Sequence, residues 1–187
     1  MAVEIEVKVK VEGHEAVREK LRALGAEFVS KVLEVNTFLD TADHELLRGD
    51  RGLRLRTNVD QATGSAQHVV TYKGPRQAGT VKKREEVEVV VENREQMVRV
   101  MEAIGYAVTL SFEKRRETWK LGACEIVLDE LPMLGMFLEI EGPGEQVILE
   151  LKEKLGLGDA PAISDPYVAL LEAELKRVGR ADRIAFF

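Results

Sequence analysis

Glu4-Ile5-Glu6-Val7-Lys8 puts two carboxylates and an ammonium on one side of an alternating run. Side chains two apart in a strand share a face and sit ~7 Å from each other, a reach that one or two cations can bridge. Other alternating runs carry charge in the same way: Arg54 and Arg56, Thr71 and Lys73, Arg84 with Glu86 and Glu88, Lys114 and Arg116, Asp129, and Glu139 and Glu141. Arg grips phosphate oxygens with a bidentate fork and Lys does so as a point charge. Clustered carboxylates repel phosphate unless a hard cation lies between, and Mg²⁺ or Mn²⁺ takes such oxygen ligands together with phosphate. His14, His44 and His68 are scattered and Cys124 stands alone, so no zinc set is present. There is no Gly-rich phosphate loop and no nucleophilic Ser or Cys motif. The chemistry points to a polyanionic phosphate bound with a divalent metal.

These side chains need strands to present them. Val3 to Val11 alternates without a break, Val3, Ile5, Val7, Val9 and Val11 against Glu4, Glu6, Lys8 and Lys10. Further strands are expected at about 33–40, 53–58, 67–73, 82–91, 111–120, 124–130 and 136–142, eight in all. Helices are expected at His14–Leu24, Asn93–Ile104 and Glu145–Leu155, with Gly25, Gly105 and Gly156 as stops. Asn93 and Gln96 stand at capping-box spacing. The stripe of that helix is Met97, Val100, Met101 and Ile104. A fourth helix is expected with Asp165 as N-cap and Pro166 as its first residue, carrying Val168, Leu171, Leu175 and Val178 before Gly179.

For any one strand the ordinary reading is a charged face in water and an apolar face in the core. Eight such strands with four amphipathic helices suggest another arrangement. If the helices cover the outside of a small closed barrel, the apolar strand faces meet them and the charges point inward. Isolated buried charges are very costly, so that interior must be a wet cavity for a charged ligand.

The composition bounds the rest. A chain of 187 residues amounts to about one domain and can bury a full core unaided. With 32% charged and 45% hydrophobic residues, it is neither disordered nor membrane-spanning; no apolar run nears the ~20 residues a bilayer helix needs. The charged N-terminus lacks a secretory signal core, and the lone Cys124 suits a reducing cytosol. Net charge is −6, yet residues 51–120 hold 14 Lys+Arg against 9 Asp+Glu. A basic middle in an acidic protein suits an anionic ligand but not nucleic acid, whose binding domains are strongly basic.

Glu4-Ile-Glu-Val-Lys8 resembles the Glu-x-Glu-x-Lys signature of the CYTH superfamily, the triphosphate tunnel metalloenzymes. The rest follows in family order: Asn36-Thr-Phe-Leu-Asp40, Leu53-Arg-Leu-Arg56, Thr71-Tyr-Lys-Gly-Pro75, Lys82-Lys-Arg-Glu-Glu86, Lys114-Arg-Arg116, Leu128-Asp129, and Leu134-Gly135 leading into Glu139-Ile-Glu141. The set covers roughly residues 3–142. Tyr72–Pro75 and Lys82–Glu86 look most like the class IV adenylyl cyclase branch. The resemblance implies an α+β fold over residues 1–187: an eight-stranded antiparallel barrel whose tunnel binds a triphosphate, with helices packed outside and C-terminal helices at about 145–178. It implies metal ligation by Glu4, Glu6 and Glu139, with Asp129 and Glu141 supporting or sharing the metal. It implies phosphate contacts from Lys8, Arg54, Arg56, Lys73, Arg84, Lys114 and Arg116. Among these, Glu4, Glu6, Lys8 and Arg116 are taken as catalytic. Glu86 and Glu88 either orient the cations or hold a second metal; Arg115 faces outward and Lys82 shares the inward parity. The family often has Ser-Tyr directly before its last helix, whereas here Asp165-Pro166 separates Ser164 from Tyr167.

Three functions compete. The first is conversion of ATP to cyclic AMP and pyrophosphate. The second is hydrolysis of tripolyphosphate, thiamine triphosphate or a nucleoside triphosphate. The third is a non-catalytic polyphosphate or RNA-binding module, supported by Lys82-Lys83-Arg84 and Lys114-Arg115-Arg116. A pure binder has little need of acids facing the same cations. A cytoplasmic enzyme with Mg²⁺ or Mn²⁺, no membrane partner, and an assembly compatible with a homodimer is the resulting expectation.

Overall fold

The computed structural model describes residues 5–75 and 85–187. Along the chain run β1 (Ile5–Val11), α1 (Glu15–Ala23), β2 (Glu27–Thr41), α2 (Glu45–Arg48), β3 (Gly52–Asp60), β4 (Ala66–Lys73), β5 (Glu86–Val91), α3 (Arg94–Ala103), β6 (Tyr106–Leu121), β7 (Cys124–Leu131), β8 (Gly135–Gly142), α4 (Glu145–Lys154), α5 (Tyr167–Arg177) and β9 (Ile184–Ala185). The strand order is β1-β8-β7-β6-β2-β3-β4-β5, with the short β9 parallel to β6. The ladders β1–β8, β8–β7, β7–β6, β3–β4 and β4–β5 are all antiparallel. The expected α+β class and its antiparallel strands stand. No helix among the described residues is long and apolar enough to cross a membrane.

The chain divides into two compact units, residues 1–32 with 114–180 and residues 33–113 with 181–187. In the first, the odd residues of β1 (Ile5, Val7, Val9, Val11) join a core with Ile126, Leu128, Leu138 and Ile140. The helices α1 and α4 close over it through Val17 and Leu21, and Ile148 and Leu151. Each fully buried aliphatic side chain adds ~1.5–3 kcal/mol. Strand alternation then turns Glu6 and Lys8 to the opposite face, as the amphipathic pattern requires. The chain leaves α4 through Gly156 at φ +70°, where a Cβ would collide with Lys20 Nζ. That ammonium donates to Leu155 O at 2.8 Å.

In the second unit Leu39, Leu46, Leu53 and Leu55 are buried together and pack on Val70, Tyr72, Met97, Val98 and Met101. Leu53 and Leu55 occupy the odd face of β3, which leaves Arg54 and Arg56 on the other. Asn93 caps α3 as expected, accepting from Gln96 N at 2.8 Å. The stripe differs from expectation: Met97, Val98 and Met101 pack inward while Val100 and Ile104 are exposed. The helix is rotated so that its two methionines, which fill irregular gaps, meet β3 and β4.

Boundaries shifted where alternation was weak. β2 begins at Glu27 instead of 33, since Phe28 and Val29 are apolar on both faces and both exposed. β6 begins at Tyr106 instead of 111. Pro166, with ψ 152°, is the N-cap of α5 and Asp165 lies outside it. The four-residue α2 and two-residue β9 are too short for any period to announce them. The expected strand positions Lys82 and Arg84, and Glu4, lie outside the described residues.

Candidate functional site

In the first unit the cross-strand register does the positioning. Lys8 lies opposite Glu139 and Glu6 opposite Glu141, Glu141 also faces Glu125, and Arg116 faces Asp129. Asp129 is fully buried at 0% exposure. Its carboxylate accepts from Arg116 Nε at 2.8 Å and Nη2 at 2.5 Å, and from Lys114 Nζ at 3.3 Å. Arg116 Nη2 also donates to Glu139 Oε2 at 2.9 Å. Lys8 Nζ is 3.5 Å from Glu139 Oε1 and donates to the carbonyl of Asp165 at 3.0 Å. Burying two acids with three cations is tolerable because each charge has a partner.

Tyr167 closes this cluster. Its ring centroid is 4.2 Å from Lys8 Nζ and 5.5 Å from Lys114 Nζ, cation–π distances. Its hydroxyl is buried and makes no hydrogen bond of ordinary geometry. Burial, reinforced by the negative charges of Asp129 and Glu139 and by a weak interaction of the hydroxyl with the Asp129 carboxylate, and opposed by Arg116, pushes that hydroxyl far above the ordinary tyrosine pKa. The phenol stays protonated and is a donor.

Glu6 is exposed and Glu141 half-buried. Directly opposed like charges repel, and a row of oxygen-only donors suits a hard divalent cation. Asp129 and Glu139 are instead ion-paired to Arg116, Lys114 and Lys8. Among the described residues no three His, Cys, Asp or Glu side chains converge as a metal site; the expected ligand Glu4 is outside them. The donor chemistry of the Glu6–Glu141 pair fits the metal, with Glu125 next to it in the row.

The second unit gathers Arg54, Arg56 and Lys73. The rows Arg54–Thr71–Glu88 and Gly52–Lys73–Glu86 cross β3, β4 and β5. Arg54 Nη2 donates to Thr71 Oγ1 at 3.3 Å, and Thr71 Oγ1 donates to Glu88 Oε1 at 2.7 Å. Arg54 itself is 3.9 Å from Glu88, with exposures of 14% and 55%. Its Nε is buried without a partner. Burial, and then the neighbouring Arg56 charge, lower its pKa to about 10, against the pull of Glu34, Glu88 and Glu86. It remains a cation at neutral pH, held where a cation is expensive. Arg56 Nε donates to Asn36 Oδ1 at 3.1 Å and lies 3.7 Å from Glu34 Oε2. Lys73 pairs with Glu86 at 2.7 Å near the surface.

The structure thus brings Lys8, Lys114, Arg116, Asp129 and Glu139 together in one unit, and Arg54, Arg56, Lys73, Glu86 and Glu88 in the other. Arg115 points away and pairs with Glu130, as its parity required. Three participants carried no assigned role in the sequence: Glu34, Asn36 and Tyr167. Alternation of Glu34, Asn36 and Phe38 along β2 was the signal for the first two. Asp40, at the end of the same motif, is structural. Its carboxylate accepts from the backbone N–H groups of Thr41 and Leu46 (Oδ1, 2.8 and 2.9 Å) and Leu47 (Oδ2, 3.0 Å). Burial acts to raise its pKa, but these bonds from Leu46, Leu47 and Thr41 outweigh it and hold it below the usual range.

The CYTH domain family matches residues 2–160. A protein of Methanocaldococcus jannaschii named "Putative adenylate cyclase" is 32% identical over 139 residues, 74% of this chain and 76% of that one. The solved structure of the PH1819 protein of Pyrococcus horikoshii superposes with a TM-score of 0.73 at 25% identity, covering 91% of this chain and 98% of that one. A Hippeastrum protein, described as a putative adenylyl cyclase with a dominant triphosphatase activity, shares the fold with a TM-score of 0.65 at 21% identity, covering 96% and 97%.

Proposed function

This chain belongs to the CYTH family, and on that premise we propose that it is a divalent-metal-dependent enzyme that converts ATP to cyclic AMP and pyrophosphate. One observation carries the phosphate part of the reading. Cations are held desolvated on polar strand faces, and Arg54 keeps a buried Nε donor unspent. Buried arginine with an unmet donor is costly in the free protein and is repaid by an anion.

The residues assigned to phosphate are Lys8, Arg54, Arg56, Lys73, Arg84, Lys114 and Arg116. Of the expected metal set Glu4, Glu6, Glu139, Asp129 and Glu141, our reading keeps Glu4 and Glu6 as ligands and moves Glu141 from support to ligand, while Glu139, expected as a ligand, joins Asp129 in support by holding Arg116, Lys114 and Lys8 in place. A hard divalent cation bound there supplies charge neutralisation for the triphosphate and acidifies an oxygen that it binds. In cyclisation the ribose 3′-oxygen attacks the α-phosphorus, pyrophosphate leaves and the hydroxyl proton passes to water. The chain's own work is to hold the departing pyrophosphate and fix the line of attack. The identity with the Methanocaldococcus protein and the run Tyr72-Lys-Gly-Pro75 support the cyclase assignment. The lone buried Cys124 supports a cytosolic location.

Hydrolysis is the second reading, the activity ascribed to the Hippeastrum protein, whose likeness to this chain is one of fold. Cations that grip only phosphates leave the nucleoside loose and favour water as nucleophile. Product chromatography after incubation with ATP, tripolyphosphate or thiamine triphosphate, each with Mg²⁺ or Mn²⁺, decides. Cyclic AMP and pyrophosphate from ATP are expected, with all turnover lost in excess EDTA. ADP with orthophosphate, and faster use of tripolyphosphate, transfers the protein to the triphosphatase reading. Full activity in EDTA overturns the metal assignment.

A further inference from the structure

The ring of Tyr167 explains itself. It packs edge-on against Phe137 with centroids 5.2 Å apart and supports the Lys8 and Lys114 ammonium groups. The hydroxyl does not. A phenylalanine would fill the same space, make the same ring contacts and carry no polar atom into the interior. Buried tyrosine hydroxyls normally find a partner. Among the described residues of its unit, this is the one buried side-chain polar atom left without a hydrogen bond of ordinary geometry, its approach to Asp129 being a weak one. The ring lies against two ammonium groups, and the hydroxyl is within the field of Asp129, Glu139 and Arg116, the cluster whose cations are assigned to phosphate. The chain holds it there firmly: Pro166, in extended conformation, sets the first residue of α5 against the cluster, and the preceding carbonyl of Asp165 is itself bonded to Lys8 Nζ.

We propose that Tyr167 contacts the ligand: its hydroxyl donates a hydrogen bond to an oxygen of the bound triphosphate, while its ring fixes the two ammonium groups that grip the same phosphate chain. This rests on the triphosphate reading above and adds to it a neutral donor among the cations. A neutral donor discriminates by geometry and loses little to salt, whereas lysines act as point charges that salt screens. Its loss is therefore felt equally at low and high ionic strength.

The test compares the full-length wild-type protein with Tyr167→Phe. Tripolyphosphate with Mg²⁺ is titrated by calorimetry at two ionic strengths, orthophosphate at matched ionic strength is the control, and the ligand-free melting temperature is recorded. A hydrogen bond to a charged group is lost, so the tripolyphosphate Kd should rise about tenfold at both ionic strengths. The ligand-free melting temperature should stay or rise, because an unmet buried hydroxyl has been removed. Equal Kd values for the two proteins overturn the inference and leave the triphosphate reading intact. A ligand-free melting temperature that falls by several degrees also overturns it, since the hydroxyl then serves the fold. A wild-type protein that binds tripolyphosphate no better than orthophosphate overturns the triphosphate reading itself.

Discussion

The two units handle buried charge differently. On β1, β6, β7 and β8 the charges are closed upon one another: Asp129 takes Arg116 and Lys114, and Glu139 takes Arg116 and Lys8. On β3, β4 and β5 the acids stand near water while the arginine is inside, Glu88 being 55% and Arg54 14% exposed. The first arrangement balances its charges before a ligand arrives, so its cations exchange acid partners for phosphate when they bind. The second carries an electrostatic cost that a ligand relieves. Two sets of similar residues, read from similar alternating strands, therefore meet an anion in different states, one charge-balanced and one with a donor unspent.

The contrast is broken most directly at Arg116. Arg116→Ala leaves a fully buried carboxylate facing one lysine, so denaturant unfolding should show a loss of about 3–5 kcal/mol. Arg54→Gln should behave oppositely, with the ligand-free stability equal or higher at pH 7. Comparable destabilisation by both would erase the distinction drawn between the units.

Ligand response comes next in size. A ligand that binds only the folded state adds about 4 kcal/mol at a thousandfold excess over its Kd. Tripolyphosphate should raise the wild-type melting temperature by several degrees, high salt should blunt the rise, and Arg54→Gln should lose much of it. Orthophosphate doing equally well at the same ionic strength would count against a site for a phosphate chain.

Asp40 sharpens the comparison inside the second unit, because its charge is spent on backbone rather than held for a ligand. Asp40→Asn should cost about 1–2 kcal/mol at neutral pH and leave tripolyphosphate binding unchanged. Its folded pKa lies below the ordinary aspartate value of 3.8. The contribution is therefore complete above about 3.8 and is lost as pH falls through the folded value. A denaturation series from pH 5 to pH 2 should show a shallower acid limb in the variant.

The smallest effect is expected at Lys73, whose partner Glu86 is 41% exposed. Pairs of this kind contribute ~0–1 kcal/mol. Lys73→Ala should leave the unfolding midpoint almost unmoved while weakening tripolyphosphate binding. A large stability loss would mean that Lys73 belongs to the closed class with Lys8 and Lys114.

Much of this was legible because period-2 alternation reports directly which side chains share a face. β1, β3, β7 and β8 came within two residues of their ends, and their charged faces came with them. The sequence does not show which acids are consumed by which cations. That depends on register across β6, β7 and β8, so Asp129 and Glu139 read as metal ligands and as salt-bridge partners alike. Tyr167 was hidden for another reason. It sits at a helix start, where position is set by a proline and a tertiary contact and no periodic signal exists. Asp40 stood in a motif with no role assigned to it, and only the backbone N–H groups of Thr41, Leu46 and Leu47 reveal what its carboxylate does.

β6 alternates through Lys114, Arg115, Arg116 and Glu117, and Glu117 faces the other way to accept from Arg18 Nε at 3.0 Å and Trp119 Nε1 at 2.8 Å. A strand has no tolerance for an odd change in length, because one added residue exchanges its two faces. Inserted before Lys114, a residue would turn Glu117 toward Asp129 and draw Trp119 out of the core. Descendants of this protein can thus vary the chemistry of β6 by substitution, while gains and losses of length are confined to turns such as the one at Gly122.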